Sequence, residues 1–307
     1  MGFIFCLLQR RCGPLFVLAR LGLQVGCAHP VGQPAIASSK TNASVSVNAV
    51  DGQRIAYRTI GHGEITVVLA HCWGCTSALW DGVAARLVGR YRFVLVDLPG
   101  HGQSTGTRRA WTVRAYAQDL AAVVDSIGGA PVILVGHSMS GRIVTEAARS
   151  SLRGRVRGVV LVDSVPDVAH IAGDAERLSL VARLRADFGG TVHELVSGLE
   201  PASAEQPIAT VTALIERMDP RVAREVLDQN LSYPFLERLS GLEVPLWSVN
   251  ASITATDQVA NQRLVANWQA VVMPATGHWL MLDAPEQFAA ALDAALSAIA
   301  TQSRERT

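Results

Sequence analysis

The chain is short of several residue types that whole classes of protein require. Lys40 is its only lysine, and its 27 basic and 26 acidic residues are interspersed without a basic run, for a net charge of +1. This balance does not favour a nucleic-acid-binding surface. Aromatic residues make up only 6% of the 307 residues, whereas hydrophobic residues make up 49%. The sequence therefore predicts one large domain with a sizeable aliphatic core.

Cysteine is too scarce and too unevenly placed for a disulfide framework. Three of the five cysteines lie within the first 27 residues, and the other two form Cys72-x-x-Cys75 beside His71. Such a pair can belong to a metal or redox site, but a structural zinc needs four ligands and no second pair follows. We therefore expect neither a metal nor a cofactor.

The first 43 residues differ in composition from the rest of the chain. Residues 1–28 are apolar and basic with no acidic residue, as in an export leader, and residues 31–43 are typical of a linker. Arg20 interrupts the apolar run, which leaves it too short for a stable membrane span. The segment ending at Cys27 is similar to a lipoprotein cleavage site, which makes Cys27 a candidate lipid anchor. Residues 1–43 are predicted to be an export leader or a disordered linker, which favours a periplasmic or lipid-anchored protein over a cytoplasmic one. A wrongly placed start codon is the alternative.

From residue 44 onward, short apolar runs with the composition of β-strands alternate with helical patterns. The eight runs cover residues 44–50, 54–60, 66–70, 93–96, 132–135, 159–162, 245–249 and 270–273. Asp51-Gly52 joins the first two runs as a hairpin turn. Helical patterns separate most of the others, which predicts a mostly parallel sheet with helices on both faces.

The alternation stops between residues 165 and 242. This segment has no convincing strand but several amphipathic helical patterns, at residues 175–188, 208–218 and 222–231. We expect it to be a helical cap inserted into a core made of residues 44–164 and 243–307. A cap in this place would shape a pocket at one edge of the sheet.

A strand-to-helix turn near the middle of the chain holds the first candidate catalytic residue. Gly136-x-Ser138-x-Ser140 follows a buried-type strand and precedes residues 142–149, whose apolar side chains fall on one helical face. The turn resembles the Gly-x-Ser-x-Gly nucleophile elbow of the α/β-hydrolase fold, in which the serine hydroxyl stands clear of the sheet. Ser140 departs from that pattern, and Gly141 follows one position later.

The resemblance to serine hydrolases of the esterase and lipase type covers about residues 50–165 and 242–295. It implies an α/β-hydrolase fold with a mostly parallel sheet of the eight-stranded type, Ser138 as nucleophile, and His278, in a loop after the last strand, as general base. It also implies an oxyanion hole made by the backbone N–H groups of Met139 and Trp73. Residues 97–104, after the strand of residues 93–96, resemble a further loop of the same family and are expected to have a structural role.

Two further positions depart from the family pattern. Cys72 stands before Trp73 where the family usually has glycine, so this residue would be strained if the loop required a positive φ angle there. The strand of residues 245–249 is followed by Asn250 and Ser252 instead of the expected acid, and Asp257 comes only later. We expect Asp257 to orient His278. Asp163, at the end of the sixth strand, is the alternative, and a Ser-His pair without a carboxylate is a further one.

The sequence thus predicts a serine hydrolase that cleaves a carboxylic ester or related acyl bond of a small molecule through an acyl-enzyme. Serine at the elbow argues against epoxide hydrolases and haloalkane dehalogenases of this fold, which use a carboxylate. The departures at Cys72, Ser140 and Ser252 motivate an alternative, a catalytically impaired hydrolase-fold protein that binds a ligand.

Overall fold

The computed structural model describes residues 44–165, 167–168 and 173–305. The predicted leader, with its candidate lipid anchor Cys27, lies outside these residues. Across the described ranges, no helix combines the length and the apolar character that crossing a bilayer would require.

Eight strands form one sheet in the order β1-β2-β4-β3-β5-β6-β7-β8. The strands are β1 Val45–Asn48, β2 Arg54–Ile60, β3 Ile65–Ala70, β4 Tyr91–Val96, β5 Val132–His137, β6 Val156–Val162, β7 Leu246–Ala251 and β8 Trp268–Met273. The first hairpin pairs antiparallel, β2 pairs antiparallel with β4, and every remaining pair is parallel. The eight predicted strands and the mostly parallel sheet are confirmed.

Helices flank the sheet, most of them between consecutive strands of the chain and the last two after β8. They are α1 Asp81–Leu87, α2 Val113–Ser126, α3 Ser140–Arg149, α4 Asp174–Ala186, α5 Phe188–Gly198, α6 Glu205–Ile215, α7 Pro220–Leu231, α8 Phe235–Ser240, α9 Gln258–Leu264, α10 Leu280–Asp283 and α11 Pro285–Glu305. Local sequence explains where several begin. Thr112 caps α2 by accepting the Ala115 N–H, and Asp219 caps α7 with Pro220 at the first helical position.

The central strands are buried on both faces, which is why their sequences are continuous apolar runs. Helix α11 packs against α1, and the rings of Trp80 and Phe288, both fully buried, lie 6.1 Å apart. Truncating an aromatic side chain in such a core costs about 3–5 kcal/mol. This packing makes the sheet a rigid support for the loops at its carboxyl edge.

Helices α4–α8 lie between β6 and β7 in the chain, and we refer to residues 165–242 as the helical insertion. The predicted helical pattern at residues 175–188 is divided in the structure, since α4 ends at Ala186 and α5 begins at Phe188. Asp187 separates them with an extended backbone, and its side chain accepts the Gly190 N–H as the cap of α5.

Candidate active site

Ser138 occupies the sharp turn between β5 and α3. Its φ angle is 53°, in the left-handed region that residues with a Cβ seldom adopt. Its N–H donates to the Val162 carbonyl at 2.9 Å, and its own carbonyl accepts the Gly141 N–H at 3.0 Å. These bonds hold the strained turn in place, and the serine is only partly buried.

Left-handed backbone at non-glycine residues marks the loops of the site. Within the described residues it occurs at Ser138, at Asp163 (φ 41°) and at Ala275 (φ 57°). They lie directly after β5, directly after β6 and shortly before His278, at the carboxyl edge shared by parallel strands. Strain of this kind costs of order 1–3 kcal/mol per residue and is concentrated at functional sites.

His278 and Asp163 form a buried hydrogen-bonded pair. Asp163 Oδ2 lies 2.6 Å from His278 Nδ1, and the two residues are 1% and 4% exposed. Asp163 is fixed in turn, because its Oδ1 accepts the Ala251 N–H at 2.9 Å and its N–H donates to Val249. A carboxylate accepts from Nδ1–H, which places the proton of a neutral imidazole on Nδ1 and leaves the Nε2 lone pair as the basic site.

Asp257 lies elsewhere, which corrects the sequence-based prediction. It is exposed at the start of α9, where its Oδ1 accepts the Ala260 N–H at 2.9 Å as the helix cap. The carboxylate on His278 Nδ1 is instead Asp163, the alternative weighed from the sequence. The prediction failed because the sequence shows which strand precedes each acid but not which strand end the histidine loop approaches.

The loop after β3 contains a disulfide bond that the sequence analysis did not expect. Cys72 and Cys75 are bonded, with their Cα atoms 5.3 Å apart, and both are buried. The residue with a left-handed conformation is Gly74, whose φ angle is 71°, whereas Cys72 does not have a positive φ. Cys72 is therefore free of the backbone strain that a positive φ angle would cause. Trp73 lies within the loop that the disulfide closes.

Ser140, the departure from the elbow pattern, has a defined partner. Its Oγ donates to the His71 carbonyl at 2.5 Å, and both residues are fully buried. His71 is itself fixed, because its Nε2 accepts the Leu98 N–H at 3.0 Å and its Nδ1 contacts the Cys72 carbonyl at 2.8 Å. The extra hydroxyl thus joins the elbow to the loop that carries Trp73.

The two residues expected to form the oxyanion hole both contact helix α7. Trp73 Nε1 donates to the Ala223 carbonyl at 2.9 Å, and Asn230 Nδ2 donates to the Met139 carbonyl at 3.0 Å. Their backbone N–H groups make no hydrogen bond to an acceptor among the described residues. Free N–H groups of this kind suit a developing negative charge.

His137, which precedes Ser138, is a site residue that the sequence did not reveal. Its Nε2 lies 2.9 Å from the His278 carbonyl, so Nε2 carries the proton, and the two rings lie 4.8 Å apart. Burial, together with the neighbouring His278, lowers the pKa of His137 well below its usual value. The ring therefore acts as a neutral donor that holds the histidine loop. In the sequence, the only indication of this role was the position of His137 at the end of a buried strand.

The serine turn, the late histidine paired with a carboxylate and the eight-stranded sheet together define an α/β-hydrolase fold. A family model described as "Alpha/beta hydrolase family" matches residues 67–291. The chain belongs to the alpha/beta hydrolase family, so the fold, the family and the expectation of a hydrolase enzyme are confirmed.

Relatives with known names agree with this assignment. A pimeloyl-[acyl-carrier protein] methyl ester esterase from Yersinia enterocolitica is 28% identical over 254 residues, which is 77% of this chain and 95% of that protein. The protein of the same name from Sodalis glossinidius is 33% identical over 202 residues, 62% of this chain and 76% of that one. Among solved structures, a thermophilic esterase from Thermogutta terrifontis has a TM-score of 0.73 at 22% identity, covering 84% of this chain and 99% of its own. At 22% identity, the similarity to the Thermogutta terrifontis esterase shows a shared fold alone.

Proposed function

We propose that this protein hydrolyses a carboxylic ester of a small molecule by way of an acyl-enzyme on Ser138. The observation that carries the proposal is the buried Asp163–His278 pair at 2.6 Å, at the sheet edge where Ser138 is held in a left-handed turn. Asp163 orients the imidazole, and the imidazole serves Ser138 as general base. The relatives named as methyl ester esterases support an ester as the bond cleaved.

In this mechanism the Ser138 oxygen attacks the ester carbonyl carbon while its proton passes to His278 Nε2. The N–H groups of Met139 and Trp73 stabilise the oxyanion of the tetrahedral intermediate. That proton then goes to the departing alcohol, which leaves an acyl group on Ser138. Water, deprotonated by His278, attacks the acyl-enzyme and releases the acid, and the serine regains its proton.

The helical insertion serves as the cap of this site and shapes the substrate pocket. The contacts of α7 with Trp73 and Met139 support this role, because they join the insertion to both expected oxyanion donors. A cap fastened in this way would select substrates by the shape of its inner surface.

The alternative of a catalytically impaired binding protein rested on three departures from the family pattern, and the geometry weakens each of them. Cys72 is held in a disulfide without a positive φ, and Ser140 is hydrogen-bonded. The acid absent at Ser252 has a counterpart in Asp163. No observation therefore favours the impaired protein over the enzyme.

A fluorophosphonate probe tests the proposal without knowledge of the substrate, because it modifies activated serines. We expect mass mapping of the labelled protein to place the probe on Ser138. Ser138→Ala and His278→Ala should abolish labelling, and each should lower the turnover of p-nitrophenyl esters by at least about 10⁴-fold.

Ser252→Ala provides the matched control, because Ser252 is an exposed serine in another loop at the same edge of the sheet. It should label and turn over substrate like the wild type. A folded wild-type protein that neither takes the probe nor hydrolyses any ester of the series would reject the enzyme and favour the ligand-binding protein.

A further inference from the structure

Glu200, two residues after the end of α5 in the helical insertion, reaches the loop that carries His278. Its side chain is buried, and its Oε1 accepts the Trp279 N–H at 2.9 Å. The carbonyl of the preceding residue, Leu199, accepts the His278 N–H, also at 2.9 Å. Two consecutive residues of the insertion thus hold two consecutive N–H groups of the histidine loop.

The loop is shaped to admit this carboxyl group. A Cβ on Gly277 would lie 2.3 Å from Glu200 Oε2, so the carboxyl group can keep this position only beside a glycine. The Gly277 N–H donates to Asp283 Oδ2 at 2.7 Å. The Glu200 and Asp283 carboxyl groups therefore both accept N–H groups of the same short stretch of backbone, those of Trp279 and Gly277.

The charges around Glu200 are mainly of its own sign. Asp283, on α10, and Asp163, after β6, lie near it, and their negative charges would repel a negative charge on Glu200. Burial first, and then the charges of Asp283 and Asp163, raise the pKa of Glu200 to about 8, although its hydrogen bond from the Trp279 N–H acts in the opposite direction. Glu200 therefore holds its proton near neutral pH, and its Oε2 is buried without a hydrogen-bond partner among the described residues.

We propose that Glu200 is a positioning residue for the reaction inferred above: by accepting the Trp279 N–H from its place in the helical insertion, it ties that insertion to the loop that carries His278. The inference rests on the proposed function, since His278 must be placed accurately only if it acts as base. Loss of the proton from Glu200 leaves a buried anion, which the charges of Asp283 and Asp163 repel from its place beside the Trp279 N–H. The tie then weakens, and the reactivity of Ser138 falls on the alkaline side.

Kinetics of two Glu200 variants test this role in the full-length protein. Glu200→Gln keeps a neutral acceptor for Trp279, so its kcat at pH 7 should be close to that of the wild type and should not decline between pH 8 and 10, where the wild type does. Glu200→Ala should lower kcat by about 10- to 100-fold with little change in KM, because small displacements of a base reduce rates by such factors. Glu205→Gln, an exposed glutamate five residues along the chain, is the control and should follow the wild type.

A measurement that does not depend on catalysis separates this inference from the proposed function. In protein labelled with [¹⁵N]tryptophan, the Trp279 amide is assigned by its loss in Trp279→Phe. Its chemical shift should titrate near pH 8 in the wild type and not in Glu200→Gln. The same titration in both proteins, or an alkaline decline of kcat that Glu200→Gln retains, would overturn the positioning role. A wild type without esterase or probe reactivity would reject the proposed function, while the amide titration would still decide whether Glu200 holds the loop.

Discussion

Asp163 Oδ2 and His278 Nδ1 lie 2.6 Å apart, although 115 residues separate them in the chain. The sheet brings them together, because β6 lies beside β7, β7 lies beside β8, and all three are parallel. The hydrogen bond fixes the imidazole ring between a carboxylate and the neighbouring His137 ring. Because this hydrogen bond joins His278 to Asp163 and not to Asp257, the identity of the acid is the first point to test.

Separate replacement of the two candidate acids, Asp163 and Asp257, should have unequal effects on turnover. Asp163→Asn should lower kcat by about 10⁴-fold, because an amide no longer favours the tautomer with its basic nitrogen at Nε2. Asp257→Ala should leave kcat nearly unchanged and reduce the free energy of unfolding by about 1 kcal/mol through loss of the α9 cap. Steady-state kinetics on a p-nitrophenyl ester and urea denaturation measure the two effects. Strong loss of turnover in Asp257→Ala, with Asp163→Asn still active, would restore the original prediction.

Removing the Cys72–Cys75 disulfide should affect both stability and catalysis. Closing a loop of four residues contributes about 2 kcal/mol to the free energy of unfolding by the chain-entropy estimate. Cys72→Ser combined with Cys75→Ser should lose about this amount and should lower kcat more than it raises KM, since Trp73 between them is an expected oxyanion donor. Peptide mapping with and without reductant verifies the bond in the wild type. An unbridged wild type with full activity would show that the loop does not depend on the disulfide.

Ser140 tests whether the departure from the elbow pattern is harmless. Ser140→Ala removes the bond to the buried His71 carbonyl and should cost about 1–3 kcal/mol, because that oxygen loses a partner. The fluorophosphonate probe should still label Ser138 in the folded variant. Thermal denaturation and the labelling rate measure the two outcomes. A variant as stable as the wild type would show that the hydrogen bond contributes nothing.

Buried histidines should make the fold sensitive to acid. Burial lowers the pKa of His71, and burial together with the neighbouring His71 lowers the pKa of His101 to about 3. The unfolded chain binds protons at these residues below about pH 6.5 while the folded chain does not, so stability should fall as the pH drops from about 6.5 toward 3.

Urea denaturation of His101→Leu at several pH values measures this effect. Loss of one such group should make the pH dependence of the unfolding free energy shallower by up to about 1.4 kcal/mol per pH unit in that range. His62→Leu, at an exposed histidine, is the control and should run parallel to the wild type. A His101→Leu slope equal to that of the wild type would contradict the assignment.

Local sequence determined much of this protein. Strand and helix periodicity predicted the eight strands and the segment of helices after β6, because burial on one or both faces imposes its own spacing of apolar residues. The residues around Ser138 and His278 pointed to a particular turn and loop, because a serine on so tight a turn requires small neighbours. These features depend on residues close together in the chain, and a linear reading can detect them.

Tertiary structure decided the partners of those residues. Asp163 and Asp257 are both acids near a strand end, and only the approach of the histidine loop to β6 distinguishes them. Ser140 and Glu200 have their roles because His71 and Trp279, each far away in the chain, lie within hydrogen-bonding distance of them. Contacts of this kind follow from how the sheet and the helical insertion pack, and no local pattern encodes that packing.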